Sequence, residues 1–192
     1  MVLMPYTETE CRQLWQCAKK SIAHGLQTGQ PYKVSVHDYP PSLQVWRASF
    51  VTLQKHGQLR GCIGMLEAMR PLIEDVAENA FAAAFRDPRF PAVTADEFPQ
   101  LDIHLSLLSA PEPMHFASEA DLLQQLRPGI DGLILQGGAR RGTFLPSVWE
   151  SLPAPRDFLR HLKRKAGLPM DYWSETLRVE RYTTESITGP YD

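Results

Sequence analysis

The segment Leu59-Arg60-Gly61-Cys62-Ile63-Gly64 concentrates more chemistry than any other in the chain: a thiol two positions from a guanidinium, set among glycines. Side chains alternate along a strand, so Arg60, Cys62 and Gly64 are expected on one face, with about 6–7 Å between i and i+2. A cation at that range favours the thiolate, the form of cysteine that attacks electrophiles. Glycines weaken a strand, and Gly61 and Gly64 mark a place where another backbone or a ligand comes close. The plainer alternative is that Cys62 only packs, as a small apolar filler. A two-residue hairpin turn would set it opposite Val51 and a three-residue turn opposite Phe50, apolar in either case.

Other constellations resolve into structure. Asp102, His104 and Ser106 alternate on one strand face, but parallel side chains at i, i+2 and i+4 do not converge as a nucleophile, base and orienter must. Gly137-Gly138-Ala139-Arg140-Arg141-Gly142 lacks the spacing of a dinucleotide or P-loop fingerprint and reads as a hairpin turn. Arg160, Lys163, Arg164 and Lys165 lie opposite the apolar face of their helix and read as a solvated face near a helix C-terminus, where cations are favoured. Six histidines stand apart without metal-ligand spacing, so no metal and no cofactor is expected. Cys11 and Cys17 lie about 120° apart on one helix and cannot share a metal; Cys11 is expected in the core and Cys17 on its flank.

Several elements must position these groups. Thr7-Glu8-Thr9-Glu10 is a capping box ahead of a helix whose stripe runs through Cys11, Leu14, Trp15, Ala18, Ile22 and Leu26. Val45 to Lys55 reads as a strand, His56-Gly57 as a tight turn, and Gln58 to Gly64 as the returning strand. Pro71 opens a helix to about Phe85. Asp87-Pro88-Arg89-Phe90-Pro91 must be a loop, because each proline blocks a helix and restrains its predecessor. Thr94 and Glu97 have capping-box spacing, and Leu101 to Leu108 alternates as a half-buried strand. Further on come a helix capped by Ser118, a strand at Leu133-Ile134-Leu135, a helix around Asp157 to Ala166 stopped by Gly167, and a closing strand over Leu177 to Thr183. Strand mostly follows strand, which predicts an α+β fold with a largely antiparallel sheet and packed helices.

Composition narrows the functional classes. With 20 Lys and Arg against 22 Asp and Glu, the net charge is −2, which argues against a polyanion binder. The first residues lack the basic and apolar regions of a signal peptide, and no apolar run reaches the roughly 18 residues of a membrane span. Three cysteines do not make a disulfide framework, so a cytoplasmic protein with reduced thiols is expected. Sixteen prolines in 192 residues, about 8% against a usual ~5%, announce structured loops.

The hexapeptide resembles the hallmark of the AmmeMemoRadiSam system protein A family, the AMMECR-type domain. Phe50-Val51-Thr52-Leu53, the Asp87 to Pro91 loop, Glu97-Phe98, Ser106 to Ser109, Gly129 to Leu135, Thr143 to Pro146 and Phe158 to Gly167 are similar to family segments in the same order. The resemblance runs from about Tyr6 to Ile187 as one domain, with residues 1–5 and 188–192 as tails. It implies a compact α+β domain of two unequal lobes with a cleft near the hexapeptide. It also implies association with a Memo-type protein and a radical SAM protein in modifying some biomolecule.

Carried onto this chain, the motif positions are Arg60, Gly61, Cys62 and Gly64, with Asp87, Arg89 and Glu97 as companions. Asp87 and Arg89 either reach the cleft to position a polar or anionic ligand, or pair with each other and cap helix ends. Glu97 is either the capping-box carboxylate or a general base. The leading expectation is an accessory component that presents Cys62, tuned by Arg60, as a carrier or nucleophile. The alternatives are a non-catalytic protein- or ligand-binding scaffold in which Cys62 packs, and an RNA-binding accessory using the basic helix.

Overall fold

The computed structural model describes residues 5–191; Met1 to Met4 and Asp192, on which the leader and tail readings partly fall, lie outside the described residues. The chain divides into two compact units, one running to Leu108 and resuming at Glu185, the other spanning Ser109–Thr184.

In the first unit, helix α1 (Glu8–Thr28) starts on the expected capping box, with Thr7 accepting from the Glu10 amide and the Glu10 carboxylate accepting from the Thr7 amide, and ends at Gly29 in the left-handed region. Its buried face is broader than the stripe read from sequence, because two partners cover it. Trp15 Nε1 donates to Ile103 O on the sheet, while Ser21 Oγ donates to Ala77 O and Cys17 Sγ to Ile73 O on a neighbouring helix. That second partner reverses the expected roles of the two thiols: Cys17 is buried and Cys11 is half-buried.

A short helix α2 (Pro41–Gln44) precedes strands β1 (Ser49–Lys55) and β2 (Gln58–Gly64). The stretch expected as the start of β1 stays outside it: Val45 O accepts from the Leu72 amide and Trp46 bridges to Pro71. Helix α3 (Leu72–Phe85) then packs its alanine-rich face on the sheet, and β3 (Leu101–Leu108) pairs antiparallel with β1, with Val51, Leu53, Ile103, Leu105 and Leu107 in the core. The tight turn expected at His56-Gly57 is formed, and of the two lengths left open it has two residues, pairing Lys55 with Gln58 and Gln54 with Leu59. A β-bulge then intervenes. Arg60 is left without a partner, Leu53 faces Gly61, and Cys62 faces Thr52, not Val51 or Phe50.

The second unit contains β4 (Glu112–Pro113), α4 (Glu119–Gln125), β5 (Gly132–Gly137), β6 (Arg140–Phe144), α5 (Pro155–Lys165) and β7 (Arg178–Tyr182), with sheet order β4-β7-β5-β6. The Gly138-Ala139 turn joins β5 to β6 as a hairpin, and Phe158, Leu159 and Leu162 of α5 meet Leu133, Leu135 and Trp149 in the core. Lys163 departs from the expected solvated face. It is fully buried, its ammonium 3.3 Å from Glu119 Oε1 and 5.7 Å from the Trp173 ring centre, because the start of α4 and Trp173 cover that flank of α5.

Strand β8 (Thr184–Thr188) returns the chain to the first sheet, giving the order β2-β1-β3-β8. Its single apolar residue, Ile187, gives it no alternation to read, so it follows the closing strand expected over Leu177 to Thr183 as a further strand, whose last residue, Thr188, falls where the resemblance implies a tail. The protein is α+β, with two four-stranded antiparallel sheets and packed helices.

The glycines of β2 set close approaches, Gly61 to helix α3 and Gly64 to strand β1. A Cβ on Gly61 would overlap the Ala83 carbonyl oxygen of α3, and one on Gly64 would overlap Ser49 O and the Phe50 ring. Gly61→Ala is therefore expected to cost about 1–3 kcal/mol through forced backbone separation. A urea denaturation midpoint unchanged by the substitution would contradict this packing.

Candidate functional site

β2 is an edge strand, and an edge leaves main-chain N–H and C=O groups without a neighbour. At Cys62 both groups are met by side chains from the loop after α3. The Cys62 amide donates to Asp87 Oδ2 at 2.9 Å, and Arg89 Nη2 makes a longer 3.4 Å contact with Cys62 O. Asp87 in turn accepts from the Arg89 amide at 3.1 Å, from Arg89 Nε at 3.0 Å and from Arg89 Nη2 at 2.8 Å. Local sequence explains the placement. Pro88 cannot continue α3, and the close approach permitted at Gly61 carries the end of that helix to β2. Asp87 is only 4% exposed, and the Arg89 guanidinium, followed by hydrogen bonds from the Cys62 and Arg89 amides, holds its carboxyl well below the usual carboxylate range.

The Cys62 side chain is half-buried, with Sγ 3.2 Å from Thr52 Oγ1. Thr52 is in register with His104 on β3, and His104 Nδ1 lies 3.2 Å from Thr188 Oγ1, so a polar row crosses all four strands. His104 Nε2 is buried and has no hydrogen-bond partner among the described residues. The other two thiols are set differently: burial pushes Cys17 up to about 12, and burial with neighbouring Glu10 raises Cys11.

Arg60 goes elsewhere. Its Nε and Nη2 donate to the two oxygens of Glu97, each at 3.1 Å, and Lys55 Nζ lies 3.2 Å from Glu97 Oε1. The bulge accounts for this by breaking the alternation that would have put Arg60 and Cys62 on one face; Lys55, three positions from Thr52, alternates to the opposite face. Glu97 also accepts from the Thr94 amide at 3.1 Å, the capping-box role read from sequence, so the same carboxylate caps and pairs. Arg60, then Thr94, pull its pKa down to about 2. Arg60 is 8% exposed, and its Nη1 has no partner among the described residues.

The residues expected at one site thus form two groups. Cys62, Asp87 and Arg89 come together, while Arg60 and Glu97 form a second cluster with Lys55. Gly61 and Gly64 act by what they allow to approach, and the cation that reaches the Cys62 main chain is Arg89, whose side chain is 55% exposed.

Sequence reading missed Thr52 because the register that brings it to Cys62 depends on the bulge. It also missed a buried network at the Gly64 end. Ser49 Oγ donates to Asp75 Oδ2 at 2.6 Å, Asn79 Nδ2 donates to Ser49 O and Asp75 Oδ2, and Arg70 Nε donates to Asp75 Oδ1. Its signal was two polar residues, Asp75 and Asn79, at i and i+4 on an otherwise apolar helix face.

Two outcomes are expected. Asp87→Ala takes the acceptor from the Cys62 amide and the partner from a half-exposed Arg89, at a cost of about 1–3 kcal/mol, most of it from the amide left unsatisfied. The Cys62 amide should then lose protection in hydrogen exchange, and retained protection would contradict the clamp. Second, the depressed pKa of Glu97 contributes stability that is fully present above its ordinary value of 4.5 and is lost as pH falls toward about 2. Glu97→Gln should flatten acid destabilisation in that window, and unchanged steepness would contradict the ion pair.

Comparison with known proteins agrees with this architecture. A protein of Methanothermobacter thermautotrophicus is 37% identical over 191 residues, covering 96% of this chain and 97% of its own. One from Thermotoga maritima is 41% identical over 139 residues, covering 71% and 75%. The crystal structure of uncharacterized protein PH0010 from Pyrococcus horikoshii is 33% identical and superposes with a TM-score of 0.86 over 94% of this chain and 91% of that one. A sequence profile described as AMMECR1 matches residues 15–187, and with these relatives it establishes that the chain belongs to the AMMECR1 family.

Proposed function

We propose that this protein is an accessory component of a biomolecule-modification system, working beside a Memo-type protein and a radical SAM protein, with Cys62 as carrier or nucleophile. The partners in this reading come from the family resemblance. The thiol comes from geometry, and one observation carries it: the main chain of Cys62 is gripped on both polar groups by Asp87 and Arg89 while its sulfur stays half-buried beside a hydroxyl.

A nucleophile held at a fixed backbone position loses little freedom when it reacts. The Thr52 hydroxyl can donate to a thiolate, and the exposed part of the Arg89 guanidinium supplies positive charge to the thiolate or to an anionic group on a substrate. In a transfer step, sulfur bonds to an electrophilic carbon of the donor, the leaving group departs with its electron pair, and the thiol proton passes to solvent. An acceptor then displaces the sulfur.

A second reading has its own support. Arg60, Lys55 and Glu97 close on one another, and Asp87 is taken up by backbone and Arg89, which suits a non-catalytic scaffold in which Cys62 packs.

Intact-protein mass spectrometry of the chain, quenched directly from growing cells, separates the two. The carrier reading expects an adduct mapping to Cys62 and absent from Cys62→Ser, together with loss of complementation by that variant in a deletion strain. An unmodified Cys62 and full complementation by Cys62→Ser would leave the scaffold.

A further inference from the structure

The Arg89 guanidinium at the β2 edge is anchored on one side and open on the other. Three of its five N–H donors are committed: Nε to Asp87 Oδ1 at 3.0 Å, and Nη2 to Asp87 Oδ2 at 2.8 Å and to Cys62 O at 3.4 Å. Its Cζ sits 5.5 Å from the Phe90 ring centre. The two donors of Nη1 make no hydrogen bond among the described residues, and the side chain is 55% exposed. Given the thiol reading above, on which this rests, we propose that the substrate of Cys62 carries a carboxylate, which docks on the Nη1 edge of Arg89 while its electrophilic carbon meets the sulfur.

The polarity of the clamp favours an anion there. Asp87 is 4% exposed and is met by the Cys62 and Arg89 amides as well as by the guanidinium, so the pair keeps its negative end inside and turns its positive end to solvent. Glu97, the other carboxylate of the motif group, is already paired by Arg60 and Lys55. Those two cations are thereby engaged as well, which leaves one guanidinium edge to meet the ligand. One such edge suits a singly charged carboxylate better than a doubly charged phosphate. The guanidinium is fixed beforehand by Asp87 and the Cys62 carbonyl, so it does not have to be ordered on binding.

The anchor also sets a length. The carbonyl that Nη2 touches belongs to the reactive residue, and covalent geometry keeps Sγ within about 5 Å of that oxygen. With the 3.4 Å contact and the width of the guanidinium added, Nη1 lies within about 11 Å of the sulfur. A hydrogen bond of about 2.9 Å at one end and an attack distance of about 3.3 Å at the other then leave about 5 Å or less between carboxylate and reacting carbon. The substrate is a small acid.

Site-resolved labelling of the full chain at neutral pH tests this with N-ethylmaleimide, which is neutral, 3-maleimidopropionate, which carries a carboxylate, and N-(2-aminoethyl)maleimide, which carries an ammonium. In each, sulfur adds to one alkene carbon, the π pair moves to its neighbour, and that carbon takes a proton from water. Rates at Cys62 are divided by those of 2-mercaptoethanol, a neutral thiol. The expected result is the carboxylate about threefold or more above the neutral reagent, with the ammonium below it. Arg89→Gln should remove that order, whereas Arg89→Lys should keep part of it. Comparing reagents on one variant cancels any change in thiolate fraction or strand position that the substitution brings. Equal normalised rates for all the reagents, or an order unchanged by Arg89→Gln, would overturn the proposal and leave the thiol reading standing. A Cys62 labelled by none of them would overturn both.

Discussion

The contact between α3 and β2 at Gly61 governs the arrangement of the candidate site. Hydrogen there, instead of a methyl group, lets the Ala83 carbonyl come against the strand, and only at that separation does the end of α3 deliver Asp87 to the Cys62 amide. One missing side chain thus links the alanine-rich face of a helix to the hydrogen bonding of a sheet edge. The edge is closed by a carboxylate and a guanidinium instead of another strand, an arrangement that also discourages edge-to-edge association.

Much of this was legible in the hexapeptide. Its glycines predicted close approach of a backbone, which α3 provides at Gly61 and β1 at Gly64. The capping boxes, the tight turn at His56-Gly57 and the alternation of β3 followed from local chemistry, and each is formed as read. What failed was the assumption of unbroken alternation. A bulge costs one residue of register and carries no reliable mark in sequence, so the pairing of Cys62 with Thr52 and the turning of Arg60 toward Glu97 could not be read from spacing alone. Cys17 and Lys163 failed for a related reason: a helical wheel shows one buried face, whereas both helices are covered from a second side by elements distant in sequence.

The charged companions of the motif divide the work. Glu97 combines a loop cap with a bidentate pair to Arg60, joining the start of β3 to the bulge in β2. Asp87 and Arg89 hold the strand two residues further on. Substitutions at either group should therefore be interpreted first as changes in strand position and only then as changes in reactivity. The buried Ser49-Asp75-Asn79 network anchors the far end of the same strand pair, next to Gly64, so β1 and β2 are tied to α3 at both ends of the hexapeptide.

The central claim, that this clamp presents one thiol for reaction, is tested most directly by cysteine-resolved alkylation of the native protein at neutral pH, with peptide mapping of all three sites. The account predicts that Cys62 is labelled about tenfold faster than Cys11 or more, with Cys17 protected, and that Arg89→Gln lowers the Cys62 rate without changing the order of the others. A Cys62 that stays unlabelled until the protein unfolds would contradict it.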